Sequence, residues 1–331
     1  MSKPETMHAG WYERMGAAHD VITFGEMERP QPRENEVLVR LHASGIDPSD
    51  YKRRANTRAK MEFPRIIPHS DGAGIVAAVG PGVRDLREGD RVWVFHAQWQ
   101  RPFGTAAEYV ALPRTLVRPL PQGLSFAQGA CLGIPAMTGY RAVHVAGAPC
   151  GKTIYVAGAT GRVGAYAVQF AKRGGARVIA STGSGEDARR EIARLGADVV
   201  LDRKAPDLAA RILAETGGEG VDQIVEVDIS GNIALDESIL REGGAIVSFG
   251  AATAPSVPIA QGGRRARNMS LHFILVYMLS PAVIDATCNG INEAADGLVH
   301  RIGGTFALEK LAEAHAFAET TSGSGHVIVT M

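Results

Sequence analysis

The stretch Val156-Ala-Gly-Ala-Thr-Gly-Arg-Val-Gly164 decides how the rest of the chain is read. It continues the short apolar run Thr153-Ile-Tyr-Val-Ala157, which reads as a buried strand. Beyond it Val163, Ala167, Phe170 and Ala171 are spaced for one face of a helix. A strand that turns through small residues into a helix leaves free N–H groups at the helix N-terminus, where they can meet phosphate. Such a turn needs a tight bend, a close approach to pyrophosphate, and a small residue where helix packs on strand. Ala159, Gly161 and Gly164 take those three places, with Thr160, Arg162 and Val163 between them, and Ala stands for the usual first Gly. A Gly-rich turn without a ligand is the plain alternative, and the strand–helix rhythm that follows weighs against it.

That rhythm continues C-terminally. A strand over Ala176–Ala180 precedes a charged amphipathic helix over 186–195. Strands at Ala197–Leu201, Asp222–Val227 and Ala245–Phe249 come next. Apolar strands alternating with helices imply a parallel sheet covered on both faces. A site for NADH places Asp or Glu roughly 20 residues beyond the turn to hold the ribose 2′-hydroxyl. Here Ser181-Thr-Gly-Ser184 stands there, with Arg189, Arg190 and Arg203 beyond. Hydroxyls and guanidinium groups suit a 2′-phosphate, so NADPH is the expected cofactor. Glu186 and Asp187 and a solvated helix face for Arg189 and Arg190 pull the other way.

Residues 1–125 have another texture. Short β-like runs at Glu36–His42, Ala73–Val79 and Asp90–Phe95 are broken by Gly and Pro, as in a twisted antiparallel barrel. After Leu271 come an apolar run, two helical patterns and a strand at His326–Thr330. At ~150 residues per domain, 331 residues imply two domains. With Lys+Arg and Asp+Glu both at 35, bulk attraction to nucleic acid or an anionic membrane is not expected. Cys131, Cys150 and Cys288 are too few and too far apart for a disulfide framework or a Cys-x-x-Cys site. The N-terminal MSKPETMHAGWYERMG lacks a signal-type apolar core, and no run approaches the ~18 apolar residues of a membrane span. The expectation is a cytoplasmic protein.

Further motifs follow in a fixed order: Gly45-Ile-Asp-Pro-Ser-Asp50, Ile67-Pro-His-Ser-Asp-Gly-Ala-Gly74, Gly89-Asp-Arg-Val92 and Ala107-Glu-Tyr109. Gln128-Gly-Ala-Cys-Leu-Gly-Ile-Pro135, Thr138-Gly-Tyr140, the nucleotide turn, Gly243-Gly244 and Leu311-Ala-Glu-Ala-His315 complete the series. In this order they resemble the zinc-free quinone oxidoreductases of the medium-chain dehydrogenase/reductase superfamily, those similar to zeta-crystallin. The resemblance implies an α/β chain in two parts. A GroES-like β-barrel catalytic domain would span 1–127 and 270–331, and a Rossmann doubly wound NADPH domain 128–269. It implies a homodimer, and the run Leu271–Leu279 is long for an uncovered edge strand.

Zinc alcohol dehydrogenases share the architecture. By the resemblance, their catalytic ligands would fall at Asp47, Ser70 and Ile134, where Cys, His and Cys are needed, so no metal is expected. His69, in a loop where the family usually has Gly, is read as no ligand. Without a Lewis acid, reduction of a quinone or a conjugated enone or enal fits better than alcohol oxidation. Two other readings are a 2-enoyl reductase acting on acyl-CoA esters and an NADPH-binding protein with an RNA-binding or structural role. The resemblance places nicotinamide against Asp47–Lys52 and Thr138, with Phe249, Gly250, Phe273 and Leu275 approaching by backbone contacts. Asp47 stands where the family has Asn. Lys52 either polarises a carbonyl or bonds the ribose, or it is a surface lysine of the basic stretch Lys52–Lys60. Tyr51 is the other candidate, pointing away from Lys52 if the segment is extended. Trp93, Phe95, Trp99 and Phe103 wall a flat-ring pocket or are core and rim aromatics.

Overall fold

Burial along almost all of Glu36–Ile46 makes this strand, β3, the centre of the first sheet. It pairs antiparallel with β4 (Asp71–Val79), β6 (Tyr109–Pro113) and β15 (His326–Thr330). β5 (Arg91–Val94), β7 (Val117–Pro119) and β14 (Ile302–Ala307) extend this sheet, and β1 (Thr6–Trp11) pairs with β2 (Thr23–Glu28). Val37, Val39, Leu41, Val76, Val92, Val94, Val110 and Leu112 point into one shared core. Trp93 and Phe95 are fully buried, so they are core residues, whereas Phe103 is exposed. Trp99 lies beneath the Arg53 guanidinium, 5.7 Å from its carbon.

The computed structural model describes residues 5–183, 185–250, 256–257, 267–321 and 325–331. Two compact units emerge: Met1–Pro135 with Ile291–Met331, and Ala136–Gly290. The boundaries read at 127/128 and 269/270 therefore move to 135/136 and 290/291. Residues 128–135 stay with the first unit because the Ile134 N–H bonds the Asp71 carboxyl at 2.6 Å. Residues 270–290 join the second because β13 (Ser270–Phe273) pairs in parallel with β12 (Leu240–Ser248).

The second unit has β8 (Thr153–Val156), β9 (Arg177–Thr182), β10 (Val199–Asp202) and β11 (Val221–Glu226) besides β12 and β13. All are parallel, in the order β10-β9-β8-β11-β12-β13. In order along the chain that is 3-2-1-4-5-6, which reverses direction between β8 and β11. In such sheets ligands bind outside the strand C-termini at that reversal. Helices Arg162–Arg173, Glu186–Arg194, Leu208–Glu215 and Ile229–Ile239 connect the strands. The first of them is buried from Gly164 through Ala171, a wider face than the spacing of its apolar residues alone implies.

Candidate functional site

The candidate residues divide between the two units. In the second, the bend after β8 is made at Gly158, whose φ is +65°, and not at the fully buried Ala159. This corrects the first of the three expected places: a left-handed residue is needed there, and Gly adopts it without a Cβ penalty. The other two places lie on the helix that follows. Gly161 is the N-cap of helix Arg162–Arg173, and its N–H bonds Gly158 O at 2.9 Å. A Cβ on Gly164 would stand 2.6 Å from Gly158 O, so only Gly lets helix and strand approach this closely. Thr160 and Thr182 bond through their hydroxyls at 3.1 Å, tying the turn to the end of β9. The first turn of an α-helix has N–H groups with no partner inside the helix, so a turn of this shape at a helix N-terminus fits a pyrophosphate.

The residues expected around a 2′-phosphate do not behave alike. Ser181 is buried, and its hydroxyl pairs with Tyr155 Oη at 2.6 Å, so the side chain faces the core and not a ligand. Alternation along β9 explains it: Thr182, not Ser181, turns toward the nucleotide loop. Arg189 is held by Glu186 at 2.8 Å and Asp202 at 3.6 Å. Ser184 lies outside the described residues. Arg203 is exposed and lies across Gly183, where an added Cβ would come within 2.5 Å of its Nε. The described residues at the end of β9, Ser181, Thr182 and Gly183, include no carboxylate. Among the described residues of the expected set, Arg203 is the exposed side chain that lies against the end of β9.

Phe249 and Gly250 follow β12, and the Phe249 N–H bonds Glu226 O at 3.2 Å. A Cβ on Gly250 would meet Val227 O, so the two strand ends run nearly in contact. Phe273 and Leu275 follow at the sheet edge, 65% and 54% exposed. The strand of this run ends at Phe273 and a 3₁₀ turn takes Val276–Met278, so Leu271–Leu279 is not one long strand. Thr138 lies buried on helix Ile134–His144.

In the first unit the segment after β3 is helical, not extended. Asp47 caps helix Pro48–Ala55, Pro48 opens it, and Asp50 returns a bond to the Asp47 N–H at 2.7 Å. This capping box was legible as Asp-Pro-x-Asp. The helix turns Tyr51 into a core with Ile46, Ile67 and Leu311, while Lys52 is exposed. Arg54, grouped by sequence with a solvated basic run, is fully buried and bonds Gly16 O and Glu319.

Asp47 and Asp71 are both buried. Burial first and the Asp47 carboxyl second push Asp71 well above the usual carboxylate range. Where a zinc ligand would stand, Ile134 offers only its N–H, and that is given to Asp71. Ser70 adds no thiolate or imidazole, so these three positions do not fit zinc. Among the described residues no three His, Cys, Asp or Glu side chains are grouped to hold a metal. Sequence reasoning gave no role to Ser44, Thr105 and His315, which with His69 form a buried polar cluster. A clue was present in the Leu-Ala-Glu-Ala-His315 motif, but its partner is 246 residues away.

Residues 163–285 match the zinc-binding dehydrogenase family and residues 33–122 the alcohol dehydrogenase GroES-like domain. The chain is 32% identical to the quinone oxidoreductase of Rattus norvegicus over 290 residues, 86% of each chain. It is 27% identical to the chloroplastic NADPH-dependent alkenal/one oxidoreductase of Arabidopsis thaliana over 336 residues, 99% of this chain and 80% of that one. A solved mycobacterial quinone oxidoreductase superposes with a TM-score of 0.85 at 26% identity, covering 98% of this chain and all of the other.

Proposed function

The chain belongs to the zeta-crystallin-like quinone oxidoreductases of the medium-chain dehydrogenase/reductase superfamily, and we propose that it is a zinc-independent, NADPH-dependent reductase of quinones and conjugated enones. The observation that carries this reading is the chemistry at Asp47, Ser70 and Ile134, the places the resemblance gives to metal ligands, where Ile134 contributes only an N–H and that is bonded to Asp71. When bound, NADPH supplies the hydride.

The rest is positioning by this chain. The N-terminal turn of helix Arg162–Arg173 holds the pyrophosphate, Gly161 shapes that turn as its N-cap, and Gly164 seats the helix against the strand. Arg203 receives the 2′-phosphate. Phe249, Gly250, Phe273 and Leu275 offer backbone groups to the nicotinamide end, with Thr138. Asp47 caps the helix that carries Lys52, whose ammonium polarises the acceptor carbonyl. Tyr51 packs into the core and takes no part in the chemistry.

Following NADPH absorbance with small quinones and enones tests the reading, alongside alcohols with NADP⁺. Turnover of the first two groups, indifferent to chelators, is the expected result. Alcohol oxidation abolished by a chelator, or no turnover at all, overturns it. Lys52→Ala should lower kcat/KM for enones about tenfold or more, while Arg53→Ala leaves it nearly unchanged. We also propose a homodimer through the edge of β13, where Phe273, Leu275 and Met278 are all more than half exposed. Light scattering should give twice the 35.0 kDa chain mass.

A further inference from the structure

His69 is fully buried, in a left-handed conformation with φ of 77°. That backbone is costly for any residue but Gly, so the imidazole must earn its place through contacts. Its Nδ1 is 2.8 Å from Ser44 Oγ, and its Nε2 is 2.9 Å from His315 Nε2. His315, also fully buried on helix Leu311–Thr320, has its Nδ1 3.4 Å from Arg54 Nε. Ser44 Oγ is 2.7 Å from Thr105 Oγ1, which donates to the Asp71 main-chain carbonyl at 2.6 Å.

These contacts fix where each ring carries its proton. A guanidinium only donates, so His315 Nδ1 accepts from Arg54. A neutral His315 then carries its proton on Nε2 and donates to His69 Nε2. His69 must carry its own on Nδ1 and donate to Ser44. Ser44 and Thr105 carry the chain on to the Asp71 carbonyl, which the Thr105 hydroxyl meets at 2.6 Å and the Ser44 hydroxyl at 3.4 Å. Burial holds both rings neutral, taking His69 down to about 3 and His315 well below its usual value, with His69 and Arg54 adding to the second shift. The chain therefore runs one way, from Arg54 through His315 and His69 to the Ser44 and Thr105 hydroxyls and on to Asp71. It begins on the helix that Asp47 caps and ends on the residue that faces Asp47. With an arginine at one end and a peptide carbonyl at the other, it delivers no proton. It is a strut.

We propose that His69 and His315 are positioning residues: their one-way hydrogen-bond chain fixes Asp71, and through it Ile134 and the Asp47 end of the helix bearing Lys52. The consequence for turnover rests on the reductase reading above; the chain itself does not.

The test begins with ¹⁵N-histidine NMR of the wild-type protein at neutral pH, with signals assigned from His69→Asn and His315→Gln. His69 should be the Nδ1–H tautomer and His315 the Nε2–H tautomer, both neutral. An imidazolium or the opposite tautomer at either ring overturns the chain. His315→Leu leaves Arg54 Nε and His69 Nε2 facing hydrocarbon, whereas His315→Gln can still accept from one and donate to the other. The Ile134 amide proton should therefore shift in His315→Leu and return in His315→Gln. The kcat for an enone should fall about tenfold in His315→Leu and recover in His315→Gln, with KM for NADPH unchanged in both. An unmoved Ile134 resonance in His315→Leu, or in His69→Asn should the leucine variant not fold, overturns the positioning role. Correct tautomers in a wild-type protein that reduces neither quinones nor enones would sink the reductase reading and leave the strut standing.

Discussion

The two units solve the same problem in different ways. Each buries ionisable groups beside its candidate site. In the barrel unit burial keeps His69 and His315, far apart in sequence, neutral, and they join in a hydrogen-bond chain that Arg54 begins. In the Rossmann unit Glu226 at the end of β11 and Asp236 on the following helix are both fully buried. Glu226 accepts from Asn232 at 2.9 Å, and burial, then Glu226, pushes Asp236 up to about 9. There one carboxyl remains protonated beside another. A buried base kept neutral and a buried acid kept neutral must respond to pH with opposite signs.

The largest expected effect lies on the acid side. His69 is lowered to about 3 and His96 and His300 to about 4, all by burial, with His315 also well below its usual value. The unfolded chain takes up protons near 6.5 and the folded chain does not. Stability is therefore complete above pH 6.5 and is lost as pH falls toward 4, by roughly 1–2 kcal/mol for each histidine by pH 5. Asp71, raised, opposes this loss in part. Urea unfolding between pH 7.5 and 5, followed by Trp93 fluorescence in the barrel unit, should show a falling midpoint; a flat profile breaks the comparison.

Arg54→Met comes next. It leaves Gly16 O, Glu319 and His315 without their donor and should cost about 3–5 kcal/mol, against less than about 1 for Arg53→Met. Equal losses in the two variants would mean that Arg54 is no anchor. In the Rossmann unit Asp236→Asn should act in the other direction. The unfolded aspartate ionises near 3.8 while the folded one holds its proton to about 9, so its contribution is complete below 3.8 and declines as pH rises. Asparagine should raise stability at pH 8 by about 1–2 kcal/mol and flatten the alkaline slope in a thermal melt. The smallest effect concerns the cofactor. Arg203→Ala should bring NADPH affinity down about tenfold toward that of NADH, measured by fluorescence titration. Unchanged preference would leave the 2′-phosphate without its assigned partner.

Much of the Rossmann unit was legible because parallel strands buried on both faces read as short apolar runs, and β8 through β12 fall close to those runs. What escaped was side-chain direction. Ser181 and Thr182 are adjacent hydroxyl residues, and only the alternation of a strand whose register is known tells which one faces the core. The barrel unit was less readable. Asp-Pro-x-Asp is a helix start in a segment expected to be extended, and once helix Pro48–Ala55 is drawn Tyr51, Lys52 and Arg54 separate into different environments. The burial of Arg54 was still hidden, since it depends on Gly16 and Glu319, and no local pattern links positions so remote.

The chain crosses between the units at 135/136 and again at 290/291, so the Rossmann unit is an insertion within the barrel unit. β15 closes the barrel unit's sheet by pairing Val327 with Ile46 and Thr330 with Ala43. In synthesis the inserted unit can fold as soon as it has emerged, from contiguous sequence, while β3 waits for a partner about 280 residues behind it. For that interval the Ile46 side of β3 has open backbone groups, and Arg54 and His69 lack His315. The barrel unit is thus the late folder of the two, and its exposure to chaperones and proteases is set by the time taken to deliver β15.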